Sequence, residues 1–262
     1  MEENQTPMTS PLPTQKFISL GELFSLSFQI YKTKFGKLVG MSLLPIISYI
    51  PMGIVIGLFA LVIAFSGTLG QVFSVILYII FGLLGLASII VVIYVSLASQ
   101  VGLYLMVKDQ YPDKGIWETF KAARPMIWDF FITNLTAGVF ILLWTLLLII
   151  PGIIMSVYYS FVAWVFINEG LKDMAAMRRS KYLVKGRWWG VLWRNLVPML
   201  ILMIVFGFLG GIFAPNPADR TREQIYSQIS NILSMVIAPF FLAYSYNMYK
   251  SLVSIKGNNP QA

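Results

Sequence analysis

The chain has no cysteine and no histidine, and only 11% of its 262 residues are charged. Without cysteine, disulfides and thiolate chemistry are closed to it. Without histidine, so are Ser-His-Asp and Cys-His catalysis, His-ligated zinc or haem, and the imidazole proton shuttle. The shortage of charge excludes an ordinary water-soluble domain, which carries about a quarter charged residues. What fills the sequence instead is 58% hydrophobic residues at a mean hydropathy of +0.76. Much of its surface must therefore meet lipid.

Crossing the hydrocarbon takes about 20 apolar residues in a helix. The runs that meet or approach this lie at about 38–65, 72–107, 130–150, 153–168, 188–213 and 232–252. Backbone groups in lipid must bond within their own segment, so these runs predict helices rather than strands. The fold class is an all-α integral membrane protein with six transmembrane helices. The second run exceeds the bilayer, so it is expected to tilt, to project beyond it, or to break near Gly82 and Gly85. Pro45 and Pro51 are expected to kink the first. The fourth is short and is expected to continue past Asn168. Pro151 and Gly152 are read as the tight turn connecting the third and fourth spans.

Seventeen of the 19 basic residues fall in segments that share one side in a six-pass topology. Arg220 and Arg222 fall on the other side, balanced by Asp219 and Glu223. By the positive-inside rule this places a multi-pass protein in the cell (inner) membrane with both termini cytoplasmic. The net charge of +8 sits on that face and is read as orientation and headgroup attraction, so nucleic acid is not an expected partner. Residues 1–18, acidic and then Pro/Thr-rich, lack the pattern of a cleaved signal and are read as a disordered cytoplasmic tail. Residues 257–262 are read as a second tail, and the membrane domain as 19–256.

Short amphipathic stretches precede the odd-numbered spans: 19–35, about 115–124 and about 171–185. The first and third align without a gap, Ser27 over Ser180, Lys32 over Lys185, Lys34 over Arg187 and Phe35 over Trp188. The middle copy is degenerate. The alignment predicts interfacial helices on the cytoplasmic side and three parallel repeats, each an amphipathic helix followed by a two-span hairpin.

In the third stretch Met174, Met177 and Val184 approximate one helical face and Arg178, Lys181 and Lys185 another. Arg178, Arg179, Lys181, Lys185 and Arg187 are the candidate contacts for anionic headgroups, with a plain aromatic-belt anchor as the competing reading. Gly53 and Gly57, and Gly207 and Gly211, form GxxxG pairs that serve either packing within the bundle or a dimer. Asn134, Asn195, Asn231 and Asn247 either bond between helices or line a polar cavity. Asp109 and Asp113 with Glu118 resemble a metal cluster, but the lysines around them favour a solvated charged face. No metal, cofactor or catalytic residue is expected.

The stretch IPGIIMSVYYSFVAWVFINEG, followed by MAAMRRSKYLVKGRWWGVLW, resembles the glycerophosphoryl diester phosphodiesterase membrane domain family. The resemblance rests on Ile150, Pro151, Gly152, Glu169, Gly170, Ala176, Ser180, Lys185, Gly186 and Trp188. It extends to GELFSLSFQIYKTKFGKL and AYSYNMYKSL near the two ends. It implies a six-helix bacterial membrane domain of poorly defined role. The phosphodiesterase activity in the family's name is not expected here, since the sequence carries neither that catalytic domain nor a histidine. The expected role is a non-catalytic accessory or scaffold component engaging the bilayer, anionic lipid headgroups or a membrane-protein partner. The alternative is a small transporter or lipid-translocating protein without an ionisable intramembrane relay.

Overall fold

The computed structural model describes residues 17–213 and 220–257. Most of the two expected tails and the Pro-rich start of the last connection lie outside those residues. Among the described residues every regular element is helical, and six stretches are long and apolar enough to cross a membrane. The protein is a multi-pass membrane protein.

The first crossing is α1 (Leu20–Leu69), a single helix of 50 residues. It begins at Ser19, whose hydroxyl accepts from the Glu22 amide at 3.2 Å and satisfies one of the unpaired first-turn donors. The amphipathic stretch 19–35 and the first span are therefore continuous, and the helix runs on through Pro45 and Pro51. The expected loop 66–71 shrinks to Gly70. Its φ of 80° lies where a side chain is strained, and so it reverses the chain in one residue. The return helix α2 (Gln71–Val107) is unbroken over 37 residues, about 55 Å long. Gly82 and Gly85 do not interrupt it, and its surplus length is instead buried among other helices from Ala98 onward.

Lys108–Gly115 is not helical. The short helix α3 (Ile116–Ala123) follows, and a 3-10 turn over Arg124–Met126 leads to α4 (Ile127–Leu147). The turn expected at Pro151 and Gly152 lies earlier, at Leu148, which is extended (φ −159°, ψ 139°). Pro151 sits in the first turn of α5 (Ile149–Tyr158), where its missing N–H has no intrahelical partner to lose. Gly152 is needed for a different reason: a Cβ there would stand 2.2 Å from Thr145 Oγ1 and 2.8 Å from Thr145 Cα. The pair is a close-packing point between α4 and α5.

The fourth crossing is broken at Tyr159–Phe161 and resumes as α6 (Val162–Glu169). A break in a membrane helix leaves backbone groups that must find partners. Ser180, on α7 (Asp173–Val184), supplies them, donating to the Tyr158 carbonyl at 2.7 Å and accepting from the Phe161 amide at 3.2 Å. Gly186 (φ 84°) then frees the chain to start α8 (Trp188–Phe213), and α9 (Arg220–Lys256) completes the bundle. The element order is thus a segment at one end followed by two crossings, three times over, with the first segment fused to its crossing.

The buried core lies at one end of the bundle. It is built from the last turns of α2, the start of α4, α6, α7 and the last third of α9, with Leu23, Leu38 and Met41 of α1. Trp164 is its centre, 1% exposed, with Tyr104 at 4.5 Å and Tyr246 at 4.7 Å between ring centroids. Its indole N–H donates to Ser245 at 2.9 Å, so the ring is buried with its polar edge satisfied.

Candidate functional site

The carboxyl ends of α2, α6, α7 and α9 all reach the end that holds the core, called here the basic end. A helix leaves its last carbonyls unpaired and carries partial negative charge there. Each of these four ends meets a cation brought from elsewhere in the chain. Lys34 on α1 donates to the Met106 carbonyl at 2.6 Å, and Lys108 to the Ile167 carbonyl at 2.9 Å. Lys256 on α9 donates to the Lys185 carbonyl at 2.9 Å, and Arg179 on α7 to the Gly257 carbonyl at 3.0 Å. These cations hold helices together by their carboxyl ends.

Arg179 is the most deeply placed of them, 2% exposed. Its Nε donates to Glu169 Oε2 at 2.8 Å, and the other carboxylate oxygen accepts from the Tyr249 hydroxyl at 2.9 Å. The result is a clasp joining the end of α6, the inner face of α7 and the last third of α9. A charge taken out of water is tolerable only when paired and hydrogen-bonded in this way. Arg179 is thereby removed from the expected headgroup contacts, because its guanidinium faces the interior.

Arg178, Lys181 and Lys185 lie on the opposite face of α7 and are exposed, and Arg187 is half-exposed. None of these four has a carboxylate within ion-pair distance among the described residues. The Lys256 ammonium, drawn to the Lys185 carbonyl, sits close enough to Lys185 and Arg187 to be repelled by both. Lys181 lies 5.7 Å from the Tyr158 ring. The remaining cationic face is therefore narrower than the run Arg178–Arg187 and gains Lys256.

Several other basic residues near this end are engaged within the protein. Lys37 pairs with Asp113 at 2.5 Å, Lys172 with Asp129 at 2.6 Å, and Lys250 with Asp109. Asp109 and Asp113 thus turn to lysines of different helices, α9 and α1. Lys37 donates a hydrogen bond and lends its charge to Asp113, holding that carboxyl below the ordinary aspartate range. Arg194, in the second turn of α8, is half-buried. It donates to the Ile18 carbonyl at 2.6 and 2.9 Å and lies 4.0 Å from the Phe17 ring, pinning that segment against α8.

The glycine pairs meet no neighbour. A Cβ at Gly53, Gly57, Gly207 or Gly211 would find nothing within 4 Å, so neither pair packs inside the bundle. Asn247 bonds between helices, donating to the buried Ser27 hydroxyl at 3.1 Å, whereas Asn134 bonds within its own helix. A cleft of about 580 Å³ opens beside the clasp, lined by Asn168, Glu169, Tyr246, Tyr249, Lys250 and Ser254 among others. Its two charged groups, Glu169 and Lys250, are already bound to Arg179 and Asp109. Tyr249 and the Gly257 carbonyl had no signal in the sequence, since only the fold brings α9 against α6 and α7.

Residues 129–252 match a family model described as a domain of unknown function (DUF7847). The match includes Glu169, Arg179 and Tyr249 and the exposed cations of α7, and leaves out α1, α2 and α3. It names neither the glycerophosphoryl diester phosphodiesterase membrane domain family nor any activity. No solved structure matches the chain.

Proposed function

We propose that the protein is a non-catalytic accessory or scaffold component of the cell membrane that holds anionic lipid headgroups on the outer face of α7. In this reading the basic end faces the cytoplasm. The observation that carries it is the cluster of Arg178, Lys181, Lys185 and Lys256, cations gathered together without an acidic partner among the described residues. Like charges held together gain from a shared anion, and each near-surface Lys or Arg adds about 1 kcal/mol of attraction to an anionic leaflet. A non-catalytic role is supported by the serines of the broken fourth crossing and of α7. Ser156, Ser160 and Ser180 donate to backbone carbonyls at 2.7–2.9 Å, so none donates to a base that would activate it.

The full chain, purified in mild detergent and titrated with phosphatidylglycerol or phosphatidylcholine, tests this by native mass spectrometry. The intact protein should retain phosphatidylglycerol preferentially. Replacing Arg178, Lys181 and Lys185 together by Gln should lower that retention about tenfold or more. Equal retention by both proteins would remove the headgroup reading. Orientation is tested separately. The chain has no native cysteine, so Lys181→Cys offers a single thiol, which an impermeant maleimide should reach only from the cytoplasmic side.

A further inference from the structure

Where α3 lies across α1 and α2, the protein has a slot of about 370 Å³. Leu44 and Ile47 of α1 and Val91 and Val95 of α2 form its walls, and Trp117 and Arg124 stand beside them. The slot follows from how α3 docks. Ile116 Cδ1 would lie 2.5 Å from a Cβ at Gly40, so the start of α3 packs closely on α1 at that glycine, and a larger residue there would have to displace the tip of the Ile116 side chain. The one hydroxyl on the α1 wall is turned away from any ligand, since Ser48 donates to the Pro45 carbonyl at 2.6 Å.

The chemistry of the rim differs from that of the walls. Trp117 is 56% exposed and stacks on Phe120, with ring centroids 5.4 Å apart and planes within 5°. Lys121 and Arg124 approach the Trp117 ring at 5.6 and 6.0 Å, and Arg124 also lies 5.7 Å from Phe120. Both cations are exposed, and neither has a carboxylate partner among the described residues. A tryptophan at this position belongs at headgroup level, with apolar wall on one side of it and water on the other.

We infer that the slot holds an acyl chain of an anionic glycerophospholipid whose phosphate-bearing headgroup sits on Arg124 and Lys121. The walls suit a hydrocarbon chain and offer a polar ligand little to bond. The guanidinium fork matches phosphate oxygens in geometry as well as charge. A neutral lipid would fill the walls and leave both cations without a partner, so charge decides which lipid stays. This site lies on α1, α2 and α3, apart from the α7 face, and its success or failure is independent of that face.

The experiment uses the full chain in phosphatidylcholine nanodiscs carrying a trace of phosphatidylglycerol with an acyl-chain diazirine, or the same probe with a choline headgroup. After illumination, peptide mass spectrometry locates the adducts. They should concentrate on the segments holding Leu44–Ile47 and Val91–Val95, with the glycerol probe ahead by about fivefold or more. Arg124→Gln with Lys121→Gln should bring the two probes level, and Arg124→Lys alone should keep most of the difference. Val95→Trp should block both probes. If that core change fails to fold, the exposed double Gln variant still decides. Equal yields from both probes in the unaltered chain, a preference that survives the double Gln change, or adducts spread evenly over all lipid-facing helices would each overturn the inference.

Discussion

At the basic end Trp164, Arg179, Tyr244 and Leu252 are 2% exposed or less, whereas at the far end Leu146 to Ile150 are each between 67 and 74% exposed. Both regions are built from apolar helices, so hydrophobicity alone does not account for the difference. In lipid, burying a leucine against another helix gains little over leaving it against acyl chains. What compels close packing is polar: carboxyl ends that need donors, a broken helix that needs Ser180, and charges that need each other. These groups are gathered at one end, and the specific contacts are gathered with them. The far halves of α1, α2 and α8 are left for lipid to solvate.

The largest test of this contrast is the clasp. Arg179→Ala would leave Glu169 and the Gly257 carbonyl without their cation in a buried setting, and breaking such a pair costs about 3–5 kcal/mol. Glu169 is 17% exposed on its side chain, which places the expectation near the lower end. Thermal unfolding of the full chain in detergent should fall sharply, and pairing Arg179→Met with Glu169→Gln should recover much of the loss. Tyr249→Phe, which removes one hydrogen bond to Glu169, should cost about 1 kcal/mol. If Arg179→Ala melts like the unaltered chain, the basic end is not held together as argued.

The next test sits at the far end and is its exception. Gly152→Val drives a side chain into the backbone and hydroxyl of Thr145, and overpacking of this kind costs about 1–3 kcal/mol. Gly53→Val and Gly207→Val enter open space and should stay within about 0.5 kcal/mol in the same melting assay. A large loss at Gly53 or Gly207 would show that a neighbour covers that face in the detergent-solubilised protein and would break the comparison.

The architecture was largely legible because hydropathy and helix length report on lipid directly. Six crossings were expected and six stretches qualify. The boundaries that moved did so for local reasons: Gly70 alone turned the chain, and the α4–α5 break fell at Leu148 because Pro151 fits a first helical turn. The site was half legible. Basic residues were expected on one face, but the adjacent Arg178 and Arg179 of α7 face opposite ways, one exposed and one buried, and a charge count cannot separate them. The spacing did hold a clue. Ala176, Ser180 and Leu183 are buried and lie at helical intervals with Arg179, so the inner stripe of α7 passes through the arginine. Its partners Glu169, Tyr249 and Gly257 come from a loop direction and a long-range contact that no spacing encodes. Lysines capping other helices were hidden for the same reason.

The smallest effect expected is a pH dependence at the edge of the basic end. Asp113 lies on the loop between α2 and α3, exposed, with its carboxyl held below the ordinary range by the Lys37 hydrogen bond and charge. A carboxylate whose folded pKa is depressed adds stability above its unfolded value, about 3.9. That contribution fades as the pH falls below this value and through the lowered folded pKa. Melting of the unaltered chain should therefore decline on acidification slightly more than melting of Asp113→Asn. The difference should shrink in high salt, because an exposed pair is screened and worth little. The subtraction matters because the other lysine pairs, those of Asp109 and Asp129, are common to both proteins and cancel. Should the two acid profiles superimpose at low salt, the Lys37–Asp113 pair adds nothing, and fastening at the basic end belongs to the buried clasp and the capped helix ends alone.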